Sequence, residues 1–329
     1  MNMYKPPFSI TNEMLTRSIS ITEKIGQISS YLSLKRMPIL RRSNRIKSIH
    51  SSLAIEANSL SLNQVRDVID GKVVIGSQKE IQEVKNAYKT YEMLGEFDGY
   101  KEKDLLRAHG IITYLINAES GRYRSHAEGV MDERGNVIHV APSEKMVASL
   151  MSDLFDWLKN DEKTPLLIKS CIFHYELIFI HPFGDGNGRT ARLWQNVLLT
   201  KWNPLFEYVP IESQIYKYQQ DYYAAIKKSN TRGESNYFIE FMLKMIDETL
   251  DEVLISVNKE SKNISEKVNR LLEIMEKDIP LSANEIMNRL GIKSKETLRN
   301  TYLNPALENS LVKMTLPTKP NSKNQKYYR

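Results

Sequence analysis

Apolar residues recur every three or four positions in segment after segment of this chain, and only one stretch alternates. That recurrence is one face of an α-helix, so it commits most of the molecule to helix packed on helix. It predicts helices over 14–32, 43–58, 80–97, 103–115, 145–159, 164–179, 190–202 and 237–257, and 214–228 also suits one. In the first, Leu15, Ile19, Ile25, Ile28 and Leu32 share a stripe; in the second, Ile46, Ile49 and Leu53 do, and the next position on that face is Glu56. The alternating exception runs from Val130 to Val140, where two short apolar strands flank a turn containing Gly135 and Asn136. Such a hairpin is only marginally stable alone, so it must lean on the helices. The expected class is mainly α, a helical bundle core with a small β-hairpin. Fourteen glycines and twelve prolines in 329 residues are too few for an all-β sandwich.

Composition removes further classes. With 41% apolar and 26% charged residues the chain is an ordinary globular one, not a disordered one. A single cysteine, Cys171, excludes an internal disulfide and suits a reducing compartment. No signal-peptide pattern opens the chain and no apolar run approaches eighteen residues, so the expected location is cytoplasmic, with no membrane partner. The formal charge is +6, and residues 262–329 carry all of it, with 13 Lys and Arg against 7 Asp and Glu. Such a tail suits a polyanion such as DNA; a solvated, lysine-rich surface explains it equally well. After about Asn258 the pattern shifts to three short helices, 264–275, 282–290 and 294–308, with Ser282 and Ser294 placed as N-caps and Gly291 at a turn. Strands over 311–316 and 325–328 would complete a winged-helix outline. The expected domains are an N-terminal helical region 1–98, a core 99–260 and a winged-helix-like domain 261–329.

One segment carries chemistry: His181-Pro182-Phe183-Gly184-Asp185-Gly186-Asn187-Gly188-Arg189-Thr190-Ala191-Arg192, an apolar helix end, a polar loop and a new helix. Gly186 and Gly188 let successive N–H groups converge into an anion nest that opens on the positive end of the next helix. Arg189 and Arg192, at i and i+3, emerge on one side of its first turn and suit phosphate oxygens. Asp185 is a hard oxygen donor of the kind that holds Mg²⁺ beside phosphates. His181 can accept a proton near neutral pH. Together these describe phosphoryl or nucleotidyl transfer.

The segment matches the signature H-x-F-x-D/E-G-N-G-R-x-x-R at all eight specified positions, and the chain resembles the Fic family. The resemblance implies transfer of AMP from ATP to a hydroxyl side chain of a target protein, with release of pyrophosphate. It implies His181 as general base, Asp185 as Mg²⁺ ligand, Gly186, Asn187, Gly188 and Arg189 as the anion hole, with Asn187 on the α-phosphate and Arg189 on the β, and Arg192 on the γ-phosphate. Phe183 is its apolar anchor, expected in the core. The segment from Gly121 to Val140 resembles the family's flap, whose Val137, Ile138, His139 and Val140 would dock the target as an added strand.

Upstream, Ser51-Ser52-Leu53-Ala54-Ile55-Glu56-Ala57-Asn58 resembles the family's inhibitory motif [S/T]-x-x-x-E-[G/N], with Ser52 and Glu56 in its fixed positions and a departure at Ala57. The resemblance implies that Glu56 pairs with Arg192 and keeps the γ-phosphate away. Tyr222 and Tyr223 resemble a segment that helps form the nucleotide pocket, and Asn236 falls near another nucleotide-reaching position, although tyrosines on a helix also serve as core. The remaining histidines, His50, His109, His126, His139 and His174, show no metal-ligand spacing. Self-modification, removal of AMP, another phosphate-containing donor, association of copies, and a DNA-binding regulator acting through 262–329 stay open from sequence.

Overall fold

Serine caps set several helix starts. Ser61, Ser77 and Ser282 each accept the backbone N–H three residues on, while the side chains of Gln64, Glu80 and Glu285 reach back to close capping boxes. The computed structural model describes residues 4–30, 38–131, 137–308 and 311–329, though not the side chains at 29–30, 38–39, 130–131, 137–139 and 260–265. It is mainly α, and it divides into a unit ending at Leu254 and a unit from Ile255 to Arg329.

In the first unit, in chain order, lie α1 (Asn12–Ser30), α2 (Pro38–Ile55), α3 (Leu62–Ile69), α4 (Gln78–Glu92) and α5 (Glu102–Ile112). The hairpin β1 (Gly129–Met131) and β2 (Val137–Val140) follows, then α6 (Glu144–Asn160), α7 (Leu166–Ile180), α8 (Asn187–Trp202), α9 (Ile211–Lys217) and α10 (Gln219–Arg232). The last helix, α11 (Asn236–Ile274), starts here and continues into the second unit. Helix α7 is buried on every side from Leu167 to Leu177, as a helix apolar all round must be, and α8 packs along it. Helix α2 packs against α9, α4 and α8, which brings its C-terminal end to the start of α8.

Three departures from the sequence reading have physical causes. Ile25 and Ile28 are buried as expected, but Leu15 and Ile19 are exposed, and Met14 and Ile21 are buried in their place. The buried carboxylate of Asp247 draws Arg17, Ser20 and Lys24 onto it, and that fixes the rotation of α1. The pattern over 214–228 resolves into α9 and α10, broken at Tyr218. The two patterns placed at 237–257 and 264–275 are one continuous 39-residue helix.

In the second unit the end of α11 is followed by β3 (Leu281–Ser282), α12 (Ala283–Leu290) and α13 (Lys295–Thr297). A π-helical stretch, Leu298–Leu303, then leads into α14 (Asn304–Glu308), and β4 (Lys313–Met314) and β5 (Lys326–Tyr328) close the chain. The strands form an antiparallel sheet in the order β3-β5-β4. Leu271, Met275, Ile286, Leu290, Leu298, Tyr302 and Val312 form the core of this unit. Gly291 closes α12 at φ 70° and Ser294 caps α13. Among the described residues no helix is long and apolar enough to cross a membrane.

Candidate functional site

Helix α7 ends on His181 in the left-handed region, φ 51° and ψ 58°. A side chain there costs about 1–2 kcal/mol, so the surroundings must hold it. Arg124 does much of this. Its Nε donates to the His181 carbonyl at 2.8 Å, its Nη1 and Nη2 to the carbonyls of His126 and Pro142, and its own N–H to Pro182. One buried cation therefore satisfies the C-terminal end of α7 and ties both bases of the hairpin to the loop.

The loop itself is pinned from below. Phe183 is fully buried and stacks on His109, with centroids 3.7 Å apart and planes 7° from parallel. His109 Nδ1 accepts the Gly121 N–H, so its Nε2 carries the proton and donates to the Asp185 carbonyl at 2.9 Å. Burial pulls the pKa of His109 down to about 4, in keeping with a neutral, positioning imidazole. Asn187 clamps the loop from the other side: its Oδ1 accepts the Phe183 N–H and its Nδ2 donates to the Phe183 carbonyl. Gly186 turns the chain at φ 85°, where a methyl group would come within 2.8 Å of Thr113 Cγ2.

Both motif arginines are buried and occupied. Arg192 donates through Nε to Ser52 Oγ and through Nη2 to the Ser52 carbonyl and to Glu56 Oε1, the last at 2.7 Å. Burial disfavours its cation, yet Glu56 and nearby tyrosine hydroxyls outweigh this and hold its pKa above the ordinary value. The Glu56 carboxylate lies over the start of α8: a methyl group on Gly188 would fall 2.3 Å from Glu56 Oε1 and 3.1 Å from Arg192 Nη1. A carboxylate at a helix N-terminus beside an arginine occupies the kind of place a phosphate takes. Arg189 is shared by two further carboxylates, Glu83 at 3.2 Å and Asp185 at 2.8 Å.

The structure thus brings Ser52, Glu56, Asp185, Gly186, Asn187, Gly188, Arg189 and Arg192 to one loop–helix junction, and the backbone of His181, at the end of α7, leads into it. Others are placed differently. Asn187 spends its amide on Phe183, so a second amide hydrogen is what its side chain has left for a phosphate. Tyr222 is buried, within hydrogen-bond distance of His174 and packed on Phe238; it is core beneath Arg192, not an open nucleotide wall. Tyr223 is half-exposed and bonds the Ile55 carbonyl at the end of α2. Asn236 is committed to Ser9 through both ends of its amide, because it anchors the N-terminal segment. Val137 to Val140 form β2, paired with β1 through a bulge at Val130 and Met131; the turn at 132–136 lies outside the described residues. Among the described residues no third strand pairs with this hairpin.

Glu83, His109 and Arg124 belong to the junction as well. His109 and Arg124 stand near motifs, but nothing in their spacing marks them, and Glu83 sits on a helix with no local signal. Asp185, whose side chain is 41% exposed, suits a Mg²⁺ completed by water and phosphate oxygens. Among the described residues no group of three or more His, Cys, Asp and Glu could hold a metal without such help.

The chain is similar to known proteins in sequence and in fold. Residues 96–199 match the Fic/DOC family, and residues 266–329 match the C-terminal domain of the Filamentation induced by cAMP protein Fic-like group. The chain is 28% identical over 270 residues to protein adenylyltransferase fic-1 of Caenorhabditis elegans, covering 78% of this chain and 50% of that protein. It is 30% identical over 217 residues to protein adenylyltransferase Fic of Culex quinquefasciatus, covering 63% and 41%. The chain spans about half the length of the curated relatives it matches. A crystal structure of a Fic family protein from Desulfovibrio desulfuricans G20 superposes with a TM-score of 0.74 at 41% identity, over 99% of this chain and 98% of that one. With its signature segment folded into an arginine-lined helix start and a full-length structural relative of that kind, the chain belongs to the Fic family.

Proposed function

We propose that this protein transfers AMP from ATP to a hydroxyl side chain of a target protein, and that Glu56 restrains it. One observation carries the reading: a buried arginine at the start of α8, Arg192, is neutralised by a carboxylate from the turn after α2, Glu56, that lies over the bare Cα of Gly188. Such a seat fits the terminal phosphate of a triphosphate, and the carboxylate stands in for it. The names of the relatives, protein adenylyltransferase, support the same chemistry.

In the transfer, the target hydroxyl oxygen forms a bond to the α-phosphorus and the bond to the β-phosphate oxygen breaks. The hydroxyl proton passes to the His181 imidazole, and pyrophosphate leaves. The left-handed turn at His181, fixed by Arg124, sets where that imidazole stands. The N–H groups at the start of α8, with Arg189 and Arg192, would hold the phosphates in line, so catalysis is mostly preorganised electrostatics. Asp185 would hold Mg²⁺, which when bound neutralises phosphate charge. An edge of the hairpin, which no third strand covers among the described residues, would position the target main chain without demanding its sequence.

Glu56→Gly should raise incorporation of label from α-labelled ATP into protein at least tenfold, and adding His181→Ala should abolish it. Equal labelling with and without the imidazole would sink the assignment of the base.

A second reading concerns the second unit. Nine Lys and Arg against two acidic residues lie from Arg289 onward. Lys295 and Arg299 stand one turn apart on the exposed face of its third helix, with Lys319 and Lys323 exposed in the loop between β4 and β5. This arrangement supports contact with duplex DNA phosphates. Affinity that falls steeply with salt and drops in Lys295→Ala/Arg299→Ala is the expected result; no binding at low salt removes the reading.

A further inference from the structure

The segment that carries Glu56 reaches the other motif arginine, Arg189, too, by a different route. Arg189 is buried, with Nη1 on Glu83 Oε1 and Nη2 on Asp185 Oδ1. Its Nε is also buried and has no hydrogen-bond partner among the described residues. The other oxygen of Glu83, Oε2, accepts from Asn58 Nδ2 at 2.8 Å. Asn58 lies two residues beyond Glu56. One residue further, the Ser59 N–H donates at 2.6 Å to Glu80, three positions before Glu83 on α4. Two carboxylates on one face of α4 thus fasten the turn that follows α2, and one of them also holds Arg189.

Resting on the reading of the phosphate seat above, we propose that Glu83 is a second restraining carboxylate. It occupies Arg189 in place of the β-phosphate and is held there by Asn58, so one segment restrains both arginines. Charge decides between this role and that of a helper that presents Arg189. A single guanidinium already faces two carboxylates, and a phosphate brought to it would be a third anion in a buried place. One of the two must give way. Asp185 would be taken by Mg²⁺, which offsets its charge, so the anion left opposing a phosphate at Arg189 is Glu83, whose other bond goes to the segment that leaves when Glu56 leaves. The linkage is reciprocal: a ligand that captures Arg189 loosens Asn58, and with it Glu56.

Calorimetric binding of ADP and ATP, with Mg²⁺, to single variants of the full chain tests this, because ADP has a β-phosphate and no γ. Glu83→Gln should tighten ADP and ATP alike, about tenfold, a usual size for coupled sites. Asn58→Ala should tighten ADP in the same direction by a smaller factor. Glu56→Gly should favour ATP over ADP. An ADP affinity unchanged or weakened by Glu83→Gln, with the urea midpoint preserved, overturns the proposal and makes Glu83 a partner that presents Arg189. Should Glu83→Gln fail to fold, the ADP affinity of Asn58→Ala decides by the same criterion. Tighter ADP binding without any AMP transfer by Glu56→Gly would leave this restraint standing and remove the proposed activity. Transfer by Glu56→Gly with ADP binding indifferent to Glu83 and Asn58 would do the reverse.

Discussion

At the scale of single residues, backbone conformation explains one departure from the family pattern. Ala57 stands where Gly or Asn is usual, and it adopts φ 64°. That turn lets the N–H groups of Glu56 and Asn58 both return to the Leu53 carbonyl, which aims Glu56 at Arg192 and Asn58 at Glu83. A methyl group in the left-handed region costs about 1–2 kcal/mol, while glycine gives back part of that through unfolded-chain entropy. Ala57→Gly should therefore stabilise the protein by about 0.5–1 kcal/mol, read from urea unfolding, and should lower residual AMP incorporation by seating Glu56 more firmly. A destabilised Ala57→Gly protein would contradict this account of the turn. The strain at Ala57 and at His181 was invisible in sequence, because neither residue type announces positive φ.

At the scale of elements, the junction of α7, the hairpin and α8 depends on Arg124. It connects backbone carbonyls of His181, His126 and Pro142 that lie apart in sequence. Removing the guanidinium would leave carbonyls near the buried junction without a charged donor. Arg124→Ala should cost about 3 kcal/mol or more in urea unfolding and should lower transfer by the Glu56→Gly protein, since the His181 turn loses its brace. Unchanged stability would mean that water replaces the side chain and that the left-handed turn stands without it. Much at this scale was legible beforehand: the caps at Ser282 and Ser294, Gly291, and the helix opening at the glycine pair are local features. The rotation of α1 was not, because it answers to Asp247, more than 200 residues away.

At the scale of the molecule, buried titratable groups give the fold an opposed pH dependence. Burial lowers His109 to about 4 and His174 to about 3, against 6.5 for an open histidine. The unfolded chain therefore binds more protons below pH 6.5, and the stability these neutral imidazoles supply is full above 6.5 and lost as pH falls toward 4. Burial raises Glu176, bonded by the Tyr4 hydroxyl, to about 7 from 4.5. Its contribution is full below 4.5 and is lost as pH rises through 7. Between 4.5 and 6.5 two groups outweigh one, so from these three groups stability should climb with pH at a slope of about one proton. Glu176→Gln should roughly double that slope, as urea unfolding at pH 5, 5.5 and 6 would reveal; an unaltered slope would mean that Glu176 is ionised in the native state. By itself, the sequence determined the helical class, the glycine-rich loop–helix segment and the Glu56–Arg192 pairing implied by the family pattern, because helix periodicity, caps and glycine-rich loops are written within a few neighbouring positions. The tertiary structure alone decided that Glu83, His109 and Arg124 join the site and that Tyr222 and Asn236 are spent on packing and anchoring. A buried charge or amide takes whichever partner the packing of distant helices brings within about 3 Å, and no local pattern encodes that choice.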